Sequence, residues 1–277
     1  MIRLAVRCRP ELAERVLAEL TELAPGGVEE ERGRGYVEYA VYGPPGELPA
    51  VPDLEAAAGE GLVEIRSTEV PDDWAERWQD FHQPVLVGER LWVRPSWEAE
   101  PAPPGSVDVV VDPGNAFGTG AHATTRLCLE LFLELAGRGA SGAAADWGTG
   151  SGVLAIAAAK LGFSPVLACD HERAALDAAA ANAAANGVEL DTQRVNLREQ
   201  APPLAPTVVA NLTAPVLLAV AESLTRERGT IESLICSGLL EDEVDEVAEA
   251  LGGAGLHRLE TRRSGEWTAL LMGRVAP

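Results

Sequence analysis

The sequence predicts an α/β protein, a doubly wound Rossmann-like sheet that is mostly parallel and is preceded by a smaller α+β module. Three observations carry the prediction. From Val107 onward, short apolar strands alternate with amphipathic helices, the pattern of a parallel sheet covered by helices on both faces. Near the start of that series a glycine turn, Gly148-Thr149-Gly150-Ser151-Gly152, joins an apolar strand to a helix. The first 70 residues follow a different order, βαββαβ, which suggests a ferredoxin-like module.

In the first module, Ile2 to Arg7 reads as an apolar strand and Pro10 to Leu23 as a helix with apolar spacing. Gly27-Val28 opens a short strand, and Tyr36 to Tyr42 alternates with the period of two that a half-buried strand requires. Leu48 to Ala58 has the pattern of a short helix, and Leu62 to Ser67 that of a last strand. Next comes a tryptophan-rich segment in which Trp74, Trp78 and Phe81 keep helical spacing, so packing against a domain explains them better than a ligand surface. Glu98 to Gly105 is rich in proline and polar residues and reads as a linker or surface crossing. The expected boundaries are 1–68 for the ferredoxin-like, substrate-docking domain, 69–105 for the inter-domain segment, and 106–277 for the sheet domain.

The sheet domain opens with strand Val107 to Val111, a glycine-rich stretch from Asp112 to Thr125, and helix Arg126 to Ala136. Strand Ala143 to Trp147, helix Val153 to Leu161, strand Pro165 to Cys169, the alanine-rich helix Arg173 to Asn186 and a strand near Asp191 to Val195 follow. Strand Thr207 to Ala210 ends at Asn211, and helix Val216 to Leu224, strand Glu232 to Cys236 and helix Glu241 to Leu251 come next. Leu256 to Arg262 and Trp267 to Gly273 close the chain as two strands around Ser264-Gly265, a hairpin that adds an antiparallel strand.

Composition narrows the function. The chain has 277 residues, 47% of them hydrophobic, which is enough for one large or two ordinary cores. No apolar run approaches membrane-spanning length, and the N-terminus lacks the apolar core and cleavage site of a signal peptide. A cytoplasmic protein is expected. The four cysteines are scattered without C-x-x-C spacing, so buried free thiols are expected and neither metal nor disulfide is indicated. A formal charge of −21 repels nucleic acid and anionic membranes and favours a basic partner, although acid excess also serves solubility alone. Residues 1–66 hold 13 acids against seven arginines. That balance argues against reading Arg34-Gly35-Tyr36-Val37-Glu38-Tyr39 as the aromatic strand of an RNA platform, and for protein docking.

The glycines at Gly148, Gly150 and Gly152 have the spacing G-x-G-x-G, with Val153 next. A dinucleotide turn has G-x-G-x-x-G, so S-adenosylmethionine suits the spacing better than NAD. The following strand ends in Asp170, where a carboxylate can accept hydrogen bonds from both ribose hydroxyls. A helix N-cap is the alternative role for that acid.

Three stretches together carry a family resemblance: Asp112-Pro113-Gly114-Asn115-Ala116-Phe117-Gly118-Thr119-Gly120-Ala121-His122-Ala123-Thr124-Thr125-Arg126, the turn at Gly148, and Val208-Val209-Ala210-Asn211-Leu212. The chain resembles the bacterial ribosomal protein L11 methyltransferases. Trp74 to Trp97, Ser237-Gly238-Leu239 and Gly265-Glu266-Trp267 match further motifs of that family. The resemblance implies a class I S-adenosylmethionine-dependent enzyme that methylates lysine or N-terminal amino groups of ribosomal protein L11, with the N-terminal module holding the substrate. It also implies cofactor contacts at Thr125, Gly148, Asp170 and Asn211, beside Gly150 and Gly152. Thr125 would bind the methionine carboxylate at a helix start, and Asn211 would lie beside the sulfonium. A cap and a turn former are the plain alternatives for these two residues.

Transfer to a neutral amine needs positioning and desolvation more than a strong base. No catalytic residue is evident from the sequence, and the positioning candidates are Asn211, His122 and Phe117. His122 is the nearest candidate base, and Phe117 either lines the acceptor channel or anchors its loop. Gly114, Gly118 and Gly120 make that loop a plausible lid. Three departures from the family pattern stand out: Asn211-Leu212-Thr213 is not the Asn-Pro-Pro-aromatic signature, His171-Glu172 follows Asp170 where a second acid and a proline are usual, and Ala123 replaces a frequent proline. A monomer that does not touch nucleic acid directly is expected. The competing functions are methylation of another protein or a small amine, and a degenerate, non-catalytic binding module.

Overall fold

The computed structural model describes residues 2–13, 16–17, 29–33, 35–43, 48, 54, 62–69, 83–112, 120, 122–226 and 231–274. The chain divides into two compact units, Met1–Phe81 and His82–Pro277.

In the first unit, β1 (Ile2–Cys8), β2 (Glu29–Gly33), β3 (Tyr36–Gly43) and β4 (Leu62–Glu69) form an antiparallel sheet of order β2-β3-β1-β4. Period-2 alternation divides its faces. Leu4, Val6 and Cys8 of β1 and Val37, Tyr39 and Val41 of β3 pack with Ala13, Val16 and Leu54 into one core. On the charged face Glu38 is only 4% exposed, clasped by Arg3 at 2.6 Å and by Arg7. Burial pushes the Glu38 carboxyl up, but the hydrogen bonds and charges of the two guanidiniums outweigh it and hold the group below the usual range. Arg7 also stacks 4.4 Å over the ring of Tyr36. Much of the expected helix Pro10 to Leu23, the expected opening strand at Gly27-Val28, and Trp74, Trp78 and Phe81 lie outside the described residues.

Two features of the second unit differ from the sequence reading. Residues 83–105, taken as part of the inter-domain segment, contain β5 (Val85–Val87) and β6 (Leu91–Arg94). These strands join β7 (Val107–Val110) in a separate three-stranded sheet, with β6 and β7 parallel. The expected strand at Val107 therefore does not enter the large sheet. Arg94 fixes the crossing between β6 and β7: it grips Asp108 with two bonds of 2.8 and 2.9 Å and donates to the backbone oxygens of Pro95 and Glu98.

The large sheet has seven strands, in the order β10 (Asp191–Arg194), β9 (Val166–Asp170), β8 (Ala144–Trp147), β11 (Thr207–Asn211), β12 (Ser233–Leu240), β14 (Trp267–Gly273) and β13 (His257–Ser264). The first five are parallel, and β14 runs antiparallel between β12 and β13. Helices α1 (Ala123–Gly137), α2 (Val153–Lys160) and α3 (Arg173–Asn186) bury one face, while α4 (Ala214–Arg226) and α5 (Val244–Gly253) bury the other. Strands β8 and β11 are buried throughout or nearly so, which explains their unbroken apolar runs. All four cysteines are buried, and burial pushes Cys169 and Cys236 up to about 12, so they stay protonated. Among the described residues, no helix is long and apolar enough to cross a membrane.

Candidate functional site

The strand order reverses at β8, where the chain runs outward on both sides, and the carboxyl ends of the parallel strands at such a point form a crevice. The glycine turn sits there. Its backbone is tied to β9: the N–H groups of Gly148 and Thr149 donate to Cys169 O at 2.8 and 2.9 Å, and that of Gly150 donates to Asp170 Oδ2 at 3.0 Å. Gly148 has φ +73, and a Cβ there would collide with the Leu212 side chain. Gly152 is the N-cap of α2, so the turn delivers the chain directly into the helix.

Beneath the turn lies Asp146, 1% exposed, whose Oδ2 accepts from Thr149 Oγ1 at 2.8 Å and Ala155 N at 3.1 Å. Among the described residues, its Oδ1 has no hydrogen-bond partner. Burial pushes this carboxyl up to about 7, opposed by the two bonds to Oδ2 and reinforced by the charge of Asp170.

Asp170 ends β9 and does not cap α3; Glu172 occupies that N-cap. Each carboxylate oxygen of Asp170 accepts one backbone N–H, Oδ2 from Gly150 and Oδ1 from Glu172 at 3.0 Å, and His171 Nδ1 lies 3.2 Å from Oδ1. A carboxylate oxygen has two lone pairs, so the pair retains capacity for two hydroxyl donors. A cleft of about 390 Å³ opens here, lined by Gly148, Asp170, Val195, Asn196, Leu197 and Leu212 among others. Acceptors for a ribose stand beside apolar walls for a flat base, so the residues fit an adenosine. Val195, Asn196 and Leu197 were missed from the sequence. The available signal was Val195 and Leu197, two apolar residues alternating with Asn196 just after β10, a strand exposed at all four positions.

On the other side of Gly148 stands the start of α1. The helix begins three residues earlier than the sequence suggested, because His122 supplies the N-cap, its Nδ1 accepting from Thr124 N. Thr125 is therefore inside the first turn, and both threonine side chains are buried. Asn211, the last residue of β11, donates from Nδ2 to Thr124 Oγ1 at 3.1 Å and Thr125 Oγ1 at 3.3 Å. His122 Nδ1 is 2.8 Å from Thr124 Oγ1, and its ring meets Trp267 edge to face at 5.3 Å. The structure thus gathers Thr125, Gly148, Gly150, Gly152, Asp170, Asn211 and His122 along one edge of the sheet. Phe117 lies outside the described residues.

This sheet order, with a glycine turn after one central strand and an acid ending the next, defines a class I S-adenosylmethionine-dependent methyltransferase. Residues 52–274 match the family model described as ribosomal protein L11 methyltransferase. The chain belongs to that family. It is 36% identical to the ribosomal protein L11 methyltransferase of Pelotomaculum thermopropionicum over 97% of both chains, and 33% identical to that of Symbiobacterium thermophilum over 98% of both. Among solved structures it resembles a ribosomal protein L11 methylase from Lactobacillus delbrueckii subsp. bulgaricus, with a TM-score of 0.62 and 33% identity over 69% of this chain and 98% of that one.

Proposed function

We propose that the protein transfers methyl groups from S-adenosylmethionine to lysine or N-terminal amino groups of ribosomal protein L11, the substrate named for its relatives. When bound, the cofactor supplies an electrophilic methyl group, whose displacement by an amine leaves a neutral thioether and a methylated ammonium. Asp170 holds the ribose, the Gly148 to Gly152 turn gives close backbone approach, and Thr125 with the amides at the start of α1 receives the methionine carboxylate.

Asn211 carries the reading. Its amide nitrogen is directed at two threonine hydroxyls, which turns the carbonyl oxygen away from them as an acceptor for the substrate N–H. An amine donating there points its lone pair at the methyl group, which is catalysis by orientation. His122 serves as an orienting group, not a base. Its Nδ1 faces the N–H and the hydroxyl of Thr124 at the start of α1, and burial lowers its basicity despite the opposing charge of Glu266. The ammonium proton leaves to water before transfer.

We further propose that residues 1–68 dock the substrate and that the protein works as a cytoplasmic monomer without contacting nucleic acid, in keeping with its charge of −21. The test is incubation with labelled S-adenosylmethionine and unmethylated L11, followed by mass spectrometry. Label on L11 amines is expected, and its absence overturns the substrate assignment.

A further inference from the structure

Strand β7 lies at the edge of the three-stranded sheet, yet its outer backbone groups are not left to solvent. Val107 N and Val111 N donate toward β6, to Arg90 O at 2.7 Å and Arg94 O at 2.8 Å, so Val110 and Asp112 point the other way. Two asparagines of α3 meet them. Asn186 Oδ1 accepts from Val110 N at 2.9 Å, and its Nδ2 donates to Val110 O. One turn earlier, Asn182 Oδ1 accepts from Asp112 N at 3.1 Å, and its Nδ2 donates to Asp112 O at 3.3 Å. Four helical residues advance about 6 Å and two strand residues about 6.6 Å, so amides four apart on a helix can answer alternate residues of a strand. The two asparagines take the place of a neighbouring strand.

Asn182 also reaches the cofactor turn. An amide carries two N–H donors, and the second goes to Ser151 O at 2.9 Å. Ser151 is fully buried between Gly150 and Gly152. Three residues before Asn182, Ala179 sits so close to the turn that a Cβ on Gly152 would lie 3.0 Å from its Cα. One helix therefore holds both the glycine turn and the end of β7. From Asp112 the chain leads through the glycine-rich stretch to His122 and the threonines of α1. Near the far end of that stretch, a Cβ on Gly120 would lie 2.7 Å from the Val93 side chain of β6, which ties this end to the same small sheet.

We propose that Asn182 and Asn186 are positioning residues for the cofactor: they set the register between the turn that takes its adenosine half and the segment whose end takes its methionine half. The proposal rests on the cofactor reading above, in which Asp170 holds the ribose and Thr125 with the amides of α1 receives the carboxylate. A ligand that touches both sets of partners binds more tightly when folding has already fixed their spacing. A ligand that ends at the sulfur gains nothing from that spacing.

S-adenosylhomocysteine and methylthioadenosine separate the two cases, since both are neutral at sulfur and only the first carries an amino-acid end. Titration calorimetry of wild type, Asn182→Ala and Asn186→Ala with both ligands, beside urea unfolding of each protein, tests the proposal. Asn182→Ala should weaken S-adenosylhomocysteine binding about tenfold, the scale of one or two lost hydrogen bonds, and methylthioadenosine binding by less than about twofold. Asn186 is only half-buried and leaves the Ser151 bond in place, so Asn186→Ala should give the same selective loss at about threefold. An equal loss for both ligands, or no loss, in a folded Asn182→Ala overturns the proposal, because a general support of the domain would not distinguish them. Should Asn182→Ala not fold, an equal or absent loss in Asn186→Ala overturns it instead. A wild type that binds methylthioadenosine as tightly as S-adenosylhomocysteine overturns the methionine-end reading at α1, and the proposal with it.

Discussion

Two carboxylates one strand apart are put to different uses. Asp170 faces the cleft and keeps acceptor capacity beyond its two backbone bonds. Replacing it with alanine should weaken S-adenosylmethionine binding by roughly 1–3 kcal/mol, the scale of lost hydrogen bonds to a charged group; calorimetry showing wild-type affinity would remove Asp170 from the ribose. Asp146 is enclosed, and its folded-state value of about 7 lies above the usual carboxylate value near 3.9. The folded state therefore binds more protons than the unfolded chain between those limits. The stability this group contributes is fully present below about pH 4 and is lost as pH rises through 7, at up to roughly 1.4 kcal/mol per unit. Asp146→Asn should remove that slope, so its melting temperature should gain on wild type between pH 5 and pH 8; parallel profiles would show that Asp146 does not titrate in this window. Asp170 was legible in the sequence because a lone acid after an apolar strand has few explanations. The cleft walls at Val195 and Leu197 were not, because apolar residues after a strand look like any other core contact.

The ends of elements decide how well the site is held. Strand β12 continues past the expected stop at Cys236 to Leu240, through an irregularity between Cys236 and Leu239. Gly238 makes that continuation possible: its φ is +88, and a Cβ there would lie 2.5 Å from Leu212 O. Gly238→Ala should cost about 1–3 kcal/mol through backbone strain and displace the Asn211-Leu212 strand end, lowering methyl transfer more than cofactor affinity. Urea unfolding and calorimetry check both halves, and a stable, fully active variant would show that the strand end tolerates the shift. Helix α3 adds a brace that sequence patterning hid. Asn182 accepts from Asp112 N at 3.1 Å and donates to Ser151 O at 2.9 Å, joining the entry of the glycine-rich stretch to the glycine turn. An asparagine in an alanine-rich helix reads as an exposed position, and only the packed structure shows that it is buried. The alternation of strands and helices was legible throughout the large sheet, since parallel strands need crossovers. The strands β5 and β6 were not, because a short hairpin among tryptophans and prolines lacks the repeated period that identifies a sheet.

At the scale of the whole molecule, hydrophobic residues separate by unit. One core consists of residues from Leu4 to Ile65, and the other two of residues from Val85 to Met272. Among the described residues, each buried cluster draws its side chains from a single unit. Every described residue lining the cleft beside Gly148 and Asp170, the Asn211 constellation and the His122–Trp267 ring pair belongs to His82–Pro277. A chain beginning at His82 should therefore fold and bind S-adenosylmethionine with nearly wild-type affinity, since no described cofactor-side residue is removed. Methyl transfer to L11 should behave differently if the first unit docks that protein. Covalent linkage of a docking module raises the local concentration of the reacting group into the millimolar range, so its removal should lower kcat/KM for L11 by about 10² or more. Turnover of a small primary amine, which has no docking surface to lose, should remain at the level of the full chain. Titration calorimetry and parallel kinetics on both acceptors separate these effects. Equal kcat/KM for L11 in the shortened and full chains would transfer the whole of substrate recognition to the sheet domain and leave the N-terminal unit without a docking role.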